Sequence, residues 1–337
     1  MEMANYGEVL TFGEVLLRYS TPVGERLHQA DRLQVHPAGA ELNVAANLVH
    51  LGYPARMVTA LPDNPLGQLA RRRIQAFGVP LVCETASRGR MGVYYYEPGA
   101  APRPGVVTYD RVGSAFSRYP WSQLDWNRVM PKQGVFFTTG ITAALSRRCA
   151  VGIRLAMETA KQRQNCIAFD VNYRAKLWPV ARARSVLLPL LEMVDWLFTS
   201  RGDAVTVLGA PDDEPEKLLA WLADRFALRL VTMVYNPPAP EGSALRWRAV
   251  AWHEGRFYTH DETAPLETVD RMGAGDAYAA GFLWGMLRTG DVQHALRCGS
   301  AMMALKNTFI GDVCPIAADE LEQLISGDVL QRAGVRR

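Results

Sequence analysis

The chain has 337 residues, of which 49% are hydrophobic and 21% are charged, and its formal net charge is +3. This apolar fraction is enough for a large buried core, and so small a net charge argues against a dedicated nucleic-acid-binding protein. The five scattered cysteines form no CxxC or Cys/His cluster, no apolar run is long enough to span a membrane, and the N-terminus lacks a signal-peptide pattern, so we expect a cytoplasmic protein that makes no membrane contact.

Strands and helices are predicted to alternate along most of the chain. The predicted strands are 9–12, 55–60, 135–138, 166–170, 196–199 and 228–234. The predicted helices are 42–51, 66–77, 150–164, 215–226 and 276–288. This alternation predicts an α/β fold with a doubly wound, mostly parallel sheet and helices on both faces. In such sheets ligands bind beyond the carboxyl ends of the strands.

Two segments, 27–37 and 91–109, depart from the alternation and are predicted to be extended. The second contains "MGVYYYEPG" and "GVVTYD", which favour β-structure through their aromatic and β-branched residues. We expect the two segments to form a small separate sheet over the site. Alternate side chains of the tyrosine run would then point at the ligand.

The stretch "DRMGAGDAYAAGF", residues 270–282, places glycines directly before an aspartate at the start of a predicted helix. The alternation of residues 265–270 is typical of a strand that leads into this turn. Unpaired backbone amides and the helix dipole favour an anion there, and glycine lets the backbone approach it closely. Asp276 would then take a proton from a hydroxyl that attacks a phosphate. On the spacing alone, an ordinary helix with Asp276 as its N-cap is equally favoured. The chain has no Gly-Lys dipeptide, so a Walker A loop is excluded.

The segment "PAGAELNVAANL", residues 37–48, is a second candidate for binding. Gly39 starts a turn, and Asn43 lies on the first turns of the following helix, where it would face whatever Gly39 approaches. A helix-starting turn with incidental polar residues remains the alternative, because such turns are common.

A third candidate is "FDVNYRAKLW", residues 169–178, in which a predicted buried strand ends in polar residues. Arg174 at this strand end is able to bind a carboxylate through two parallel hydrogen bonds. A surface salt bridge is the alternative interpretation of the same arginine.

Taken together and in this order, the motifs resemble those of the ribokinase-type (PfkB) carbohydrate kinases over nearly the whole chain. The blocks "GAELN", "GITAALS" and "NYRAKLW" are similar to those of the branch that phosphorylates 2-keto-3-deoxygluconate. The resemblance implies a ribokinase-like domain over residues 1–337, with a β lid formed by about 14–38 and 90–112. It also implies a homodimer or higher oligomer that assembles through the lid.

The same resemblance implies ATP-dependent phosphorylation of 2-keto-3-deoxygluconate at its 6-hydroxyl, with ATP and Mg²⁺ as the nucleotide and metal. Asp276 matches the general base, and the backbone anion hole matches Gly273, Ala274 and Gly275. The positions that match sugar-acid contacts are Gly39, Asn43, Tyr94, Tyr109, Arg111 and Arg174. Ser200, Gly273 and Gly275 match nucleotide contacts, and Asp203 matches a residue that holds the metal through water.

Three positions depart from the family pattern. Arg271 stands where threonine is usual, and Ser200 and Asp203 replace the asparagine and glutamate of an Asn-x-x-Glu motif. The segment 231–243 lacks the usual lysine and glycine spacing of the nucleotide segment, and this supports a non-catalytic sugar-acid sensor as one alternative. A ribose or fructose kinase is the other, against which Arg111 and Arg174 argue because a carboxylate needs charged donors. The sequence leaves the gluconate and galactonate epimers of the substrate open.

Overall fold

The computed structural model describes residues 6–100, 102–237, 247–262 and 268–326. The strands are β1 (Val9–Phe12), β2 (Leu16–Ser20), β3 (Gln34–Ala38), β4 (Ala55–Pro62), β5 (Leu81–Ala86), β6 (Gly92–Glu97), β7 (Val106–Asp110), β8 (Val135–Thr139), β9 (Cys166–Asp170), β10 (Trp196–Thr199), β11 (Leu230–Tyr235), β12 (Trp247–His253) and β13 (Arg256–Glu262). The helices are α1 (Ala40–His50), α2 (Pro65–Ala76), α3 (Ala115–Arg118), α4 (Trp126–Val129), α5 (Gly140–Leu145), α6 (Arg147–Gln162), α7 (Val180–Leu191), α8 (Arg201–Asp203), α9 (Pro215–Phe226), α10 (Ala274–Thr289), α11 (Val292–Lys306) and α12 (Ala318–Ile325).

The larger sheet has the strand order β13-β12-β11-β10-β9-β8-β1-β4-β5. Its strands from β11 to β5 are parallel, and β12 and β13 add an antiparallel hairpin at one edge. Consecutive strand residues such as Val9 and Leu10 belong to different hydrophobic clusters. Both faces of the sheet are therefore buried, which requires helices on both sides and confirms the predicted doubly wound α/β fold.

Helices cover the two faces in separate groups. Leu42 of α1 and Phe282 of α10 pack in the cluster that contains Val9. Ile153 of α6, Leu187 of α7 and Leu218 of α9 pack in the cluster that contains Leu10. Among the described residues, no helix is long and apolar enough to cross a membrane.

The smaller sheet has the strand order β3-β2-β6-β7, and it confirms the small sheet expected from the sequence. The chain enters it three residues after β1 ends, so it stands beside the carboxyl end of that strand. One face carries a small cluster of Leu16, Ala38, Tyr94 and Tyr96. Leu17 and Val93 of the other face pack into the main core and fasten the sheet to it.

Several predicted boundaries are wrong for identifiable reasons. Helix α10 begins at Ala274 rather than 276, because Gly273 caps it in a left-handed conformation with φ of 80°. Residues 268–270 are not part of a strand, and the rest of the predicted strand at 265–270 falls on 263–267, outside the described residues. The segment 27–37 is extended only in part, since Leu27–Gln29 forms a 3₁₀ turn before β3.

Candidate active site

The turn before α10 presents free backbone donors at the start of a 16-residue helix. A side chain at Gly273 would place its Cβ 1.9 Å from the carbonyl oxygen of Asp312, so only glycine fits there. Within the described residues, the amides of Gly275 and Asp276 have no hydrogen-bond acceptor. These two N–H groups and the positive end of the helix dipole together form a site for an anion.

The Asp276 carboxylate lies where α1 and α10 meet. Its Oδ2 accepts a hydrogen bond from Asn43 Nδ2 at 2.7 Å. Asn43 reaches this point because α1 begins after Gly39, whose φ of 140° and close approach to the Glu14 carbonyl exclude a side chain. Burial raises the pKa of Asp276 to about 7, although the Asn43 hydrogen bond and the positive charge of Arg174 act to lower it. The result is a carboxylate that exchanges protons near neutral pH.

The Asp276 carboxylate opens into a first pocket between the smaller sheet and the ends of α1 and α10. It brings together all six residues that the sequence predicted for substrate binding, namely Gly39, Asn43, Tyr94, Tyr109, Arg111 and Arg174. Two further atoms mark it as a polar site: Glu14 Oε1 and Asn43 Oδ1 are buried and, among the described residues, have no hydrogen-bond partner. Buried acceptors without partners are costly, and hydroxyl groups of a bound ligand would satisfy both. We call this the sugar pocket.

Arg111 lines the sugar pocket, and its charge is neutralised by an acidic residue of the same pocket. Its guanidinium is buried and pairs with Glu14, and Nε donates to Glu14 Oε2 at 2.7 Å. Tyr94 is committed in a similar way, because its hydroxyl donates to Asp312 Oδ2 at 2.7 Å. The ring of Tyr94 packs 5.7 Å from that of Tyr109, so the two tyrosines form an aromatic wall.

Arg174 differs from Arg111 in being exposed. Among the described residues it has no carboxylate ion-pair partner, and its one hydrogen bond is from Nη1 to the Tyr173 carbonyl at 3.1 Å. Burial raises the pKa of three carboxyl groups around it, Asp170, Asp203 and Asp276, and the positive charge of Arg174 acts against each of these rises. Arg174 therefore brings to the centre of the site a positive charge that, among the described residues, no carboxylate contacts directly.

A second pocket of about 350 Å³ adjoins the first and shares Asn172 and Arg174 with it. It contains Ser200 and Gly275, two of the three residues predicted to contact the nucleotide, and Asp203, which was predicted to hold the metal. The third predicted nucleotide contact, Gly273, lines the first pocket instead. Apolar and hydroxyl side chains from β10, β11, α10 and α11 complete the lining, namely Phe198, Thr199, Thr232, Val234, Tyr278, Ala279 and Met303. We call this the nucleotide pocket. Of the divergent segment 231–243, residues 238–243 lie outside the described residues.

The acidic groups of the nucleotide pocket fit a hydrated magnesium ion. Burial, together with the negative charges of nearby Asp276 and Asp203, raises the pKa of Asp170 to about 8. The pKa of Asp203 is also raised by burial. In the described part of the chain no group of three or more acidic, histidine or cysteine residues is able to hold a metal alone. Two carboxylates and the Ser200 hydroxyl instead suit Mg²⁺, which keeps several waters and binds phosphates directly.

A buried ionic cluster supports the turn from below. Arg18 of β2 donates to Asp312 Oδ1 at 2.7 Å and to Asp270 Oδ2 at 2.6 Å. Lys306 is fully buried, and its Nζ donates to the carbonyl oxygens of Asp270 and Phe309 at 3.0 Å each. The cluster joins β2, the turn before α10 and the segment after α11, and so fixes the position of Gly273 against Asp312.

Sequence reasoning assigned no role to Arg18, Asp312, Lys306 or Glu14. The signal for Arg18 was a lone charge in an otherwise apolar strand, and Asp312 and Lys306 stand in the motif "ALKNTFIGD". Asp170 is one of the polar residues at the strand end in "FDVNYRAKLW", and it too was assigned no role. Ala274, which was predicted for the anion hole, lines neither pocket, and its amide makes a weak 3.3 Å hydrogen bond to Arg271.

Comparison with known proteins places these features in a family. The model of the pfkB family carbohydrate kinases matches residues 7–313. The chain belongs to this family. The kinase has the large mostly parallel sheet and the smaller sheet of solved pfkB structures.

Among its relatives, the kinase is similar to a 2-dehydro-3-deoxygalactonokinase of Haloferax volcanii, with 35% identity over 95% of this chain and 97% of the relative. It is also similar to a 2-dehydro-3-deoxygluconokinase of Bacillus subtilis, with 25% identity over 91% of each chain. The crystal structure of the 2-dehydro-3-deoxygluconokinase from Thermotoga maritima superposes with a TM-score of 0.87 and 31% identity, and covers 96% of this chain and 99% of that one.

Proposed function

We propose that this kinase transfers the terminal phosphoryl group of ATP to the 6-hydroxyl of a 2-keto-3-deoxy sugar acid (also called a 2-dehydro-3-deoxy sugar acid), with 2-keto-3-deoxygluconate as the substrate. The observation that carries the proposal is the position of Asp276. Its carboxylate opens into the sugar pocket, and the free amides of Gly275 and Asp276 stand beside it at the border of the nucleotide pocket. Relatives named as kinases of the two epimeric sugar acids support the substrate class.

The proton of the attacking hydroxyl goes to Asp276. Its pKa of about 7 makes the carboxylate a base near neutral pH, and Asn43 holds one carboxylate oxygen in place by a 2.7 Å hydrogen bond. The hydroxyl oxygen forms a bond to the phosphorus as the bond to the leaving oxygen of ADP breaks. Backbone amides at the start of α10 donate to the oxygens of the transferring group, where negative charge is concentrated.

Mg²⁺ would be held through water near Asp203 and Asp170, and when bound it neutralises charge on the phosphates. Ser200 lies beside these carboxylates and accepts a hydrogen bond from the Asp203 amide at 3.0 Å. The Asp203 carboxylate in turn accepts from the Tyr173 amide at 3.1 Å. These bonds orient the two side chains toward the nucleotide pocket.

The sugar pocket supplies acceptors for the hydroxyl groups of a sugar acid and a positive charge for its carboxylate. Glu14 Oε1 and Asn43 Oδ1 are buried acceptors that suit hydroxyl groups. Arg174 is the pocket arginine that forms no ion pair with a described residue, so we assign it the substrate carboxylate. Because Arg111 is already neutralised by Glu14, we assign it the supporting role of completing the carboxylate and hydroxyl contacts.

The two other functions are less well supported. A ribose or fructose kinase would place Arg174, which forms no ion pair with a described residue, beside a neutral substrate that has no carboxylate for it to bind. A non-catalytic sensor has no need for a base of raised pKa beside an anion site. The five free cysteines suit a reducing compartment, and we place the kinase in the cytoplasm, where ATP is available.

Measurement of ADP release tests the proposal directly. The purified protein is assayed with ATP and Mg²⁺ against 2-keto-3-deoxygluconate, its galactonate epimer, fructose and ribose, and the product is located by ³¹P NMR. We expect one ADP per sugar acid, phosphate on the 6-oxygen, and a kcat/KM for the gluconate acid at least about 30-fold above that of either neutral sugar. Binding of the acid without ADP release would favour the sensor, and higher kcat/KM for fructose or ribose would exclude the sugar-acid assignment. Comparison of the two acids decides the epimer.

A further inference from the structure

A third cavity lies away from both pockets of the active site and shares no residue with them. It has a volume of about 440 Å³, and the described residues that line it are Arg88, Ser117, Arg118, Ser146, Arg147 and Arg148. Four of its six lining residues are therefore arginines, and none is acidic. We call it the arginine cavity.

The charges of the arginine cavity are not compensated by the protein. Among the described residues, no carboxylate forms an ion pair with any of its four arginines, all of which are exposed. Other exposed arginines do find acids: Arg154 pairs with Glu158, Arg201 with Asp212 and Arg248 with Asp261. An arginine-rich composition therefore does not by itself explain the cluster. Four like charges around one cavity repel each other unless an anion lies between them.

The floor of the arginine cavity is ordered by hydrogen bonds. Ser146 caps α6, accepts from the Cys149 amide at 3.1 Å and donates to the Ser117 carbonyl at 2.8 Å. The Arg148 guanidinium also donates to the Arg118 carbonyl. Helix α6 has 16 residues, so the positive end of its dipole adds to the positive charge of the arginines.

We propose that the arginine cavity binds a small, multiply charged anion of the phosphate class, either free phosphate or a phosphate monoester. The planar guanidinium group binds phosphate oxygens through two parallel hydrogen bonds, and several such groups around one cavity suit a dianion better than a single carboxylate. The volume accommodates a phosphate group together with part of the molecule that carries it.

The arginine cavity lies at the base of the β6–β7 hairpin of the smaller sheet. Arg88 precedes β6, and Arg118 follows β7 at the end of α3. The two ends are already joined, because the Ala115 amide donates to the Arg90 carbonyl at 2.8 Å. An anion bound by Arg88, Arg118 and the start of α6 would connect this hairpin to the core helix and reduce the freedom of the sheet that borders the sugar pocket.

Equilibrium dialysis with radiolabelled inorganic phosphate at low ionic strength tests the site. A saturating non-hydrolysable ATP analogue with Mg²⁺ is present, so that phosphate cannot bind where the nucleotide phosphates lie. We expect saturable binding to the native protein and at least tenfold weaker binding after Arg147→Gln with Arg148→Gln, since charge-assisted contacts to phosphate are lost. Arg154→Gln removes a charge from the same helix outside the cavity and should leave binding unchanged. Arg147→Lys keeps the charge but loses the paired donors, so it should weaken binding by less than the double variant does.

The outcomes separate the possible sources of binding. A sugar phosphate that displaces the labelled phosphate with higher affinity identifies a phosphate monoester as the ligand, and failure to displace it identifies free phosphate. The proposal is overturned if the native protein binds no phosphate, if the ATP analogue abolishes binding, or if Arg154→Gln weakens it as much as the double variant does. Phosphate should also raise the Tm of the native protein and leave that of the double variant unchanged. The melting transition of the double variant shows that it is folded, and the unchanged Tm shows that it does not bind phosphate.

Discussion

At the scale of single residues, the Asp276 carboxyl has a raised pKa and lies beside the free backbone amides of Gly275 and Asp276. Asp276→Asn keeps the size of the side chain and removes its capacity to accept a proton. We expect kcat to fall by about 10²–10⁴-fold, the usual range for loss of a general base. In the native enzyme kcat/KM should rise with pH and level off above about pH 7, because the protonated carboxyl cannot act as a base. Steady-state kinetics across pH 5–9 measures both effects, and calorimetric titration should show that sugar binding survives. Turnover near the native rate in the variant would remove Asp276 from catalysis.

The raised pKa of Asp276 also lowers the stability of the folded protein at neutral pH. The carboxyl of Asp276 ionises near 3.8 in the unfolded chain and near 7 in the folded one, so between these values the folded chain holds a proton that the unfolded chain has lost. Stability therefore falls as the pH rises from about 4 to about 7, and the loss is complete above the folded pKa. Each pKa unit corresponds to about 1.4 kcal/mol. We expect Asp276→Asn to have a higher Tm than the native protein at pH 8 and a difference that shrinks toward pH 4. A Tm difference that does not vary with pH would contradict this account.

Arg174 tests the choice of substrate at the level of one charge. A buried carboxylate that loses one charged donor costs about 2–5 kcal/mol, which corresponds to about 30-fold or more. We expect Arg174→Ala to lower kcat/KM for the sugar acid by that factor and to change that for a neutral ketose little. Arg182→Ala, a similarly exposed arginine on α7, is the matched control. An equal loss for acid and neutral sugar would instead place Arg174 on the transferring phosphoryl group or in a structural role.

At the scale of elements, the turn before α10 contains two glycines that serve different purposes. Alanine at 273 would place its Cβ 1.9 Å from the Asp312 carbonyl and adopt a φ of 80° that side chains disfavour. Alanine at 275 would meet no atom within 4 Å, but it would stand beside the nucleotide pocket. We expect Gly273→Ala to lower both Tm and turnover, and Gly275→Ala to lower turnover or ATP affinity with the Tm nearly unchanged. Thermal melts and steady-state kinetics of the two variants measure these effects. If Gly275→Ala lowered the Tm as much as Gly273→Ala, the two glycines would not have different roles.

The sequence predicted the strands and helices that carry a regular pattern of apolar residues. Strands such as β9 and β10 are continuous apolar runs, and α9 has a clear helical period, so their bounds were predicted correctly. Helix α7 was missed, because it carries arginines on its exposed side and Pro189 within it. The hairpin β12–β13 lies next to residues outside the description and is antiparallel at the sheet edge, where the alternation of strand and helix stops.

In the candidate site, residues within local sequence motifs were predicted, and contacts between distant parts of the chain were not. Glycine turns and strand ends are local, so Gly39, Gly273 and Arg174 were found from their motifs. The ion pairs of Arg18 with Asp270 and Asp312 join residues separated by 252 and 294 positions. No periodicity within a segment indicates such a partner. The pairing of Arg111 with Glu14 is equally non-local, and it changes the expected role of Arg111 from a free cation to a neutralised one.

At the scale of the whole molecule, the smaller sheet is better supported than the sequence suggested. Leu17 and Val93 anchor it in the main core, and Arg18 ties it to the turn before α10. Toward β7, the core-facing side of this sheet is only partly covered. Tyr19 and Tyr95 stack at 5.7 Å on the face that carries Leu17, and strand β7 is paired on one side only.

A second copy of the chain is the partner that we propose for this surface, because a half-exposed aromatic face beside an open strand edge is suited to pairing between identical sheets. Val106 lies on β7 and is 37% exposed, and Leu66 lies on α2, outside the sheet, and is 42% exposed. We expect the native protein to be a dimer or higher oligomer at micromolar concentration by light scattering. Val106→Lys should shift it to monomer, because lysine on an edge strand opposes edge pairing and two symmetry-related lysines repel. Leu66→Lys changes a residue of similar exposure by the same substitution and should leave the mass unchanged. A monomeric native protein, or an equal response of the two variants, would show that the smaller sheet does not form the interface.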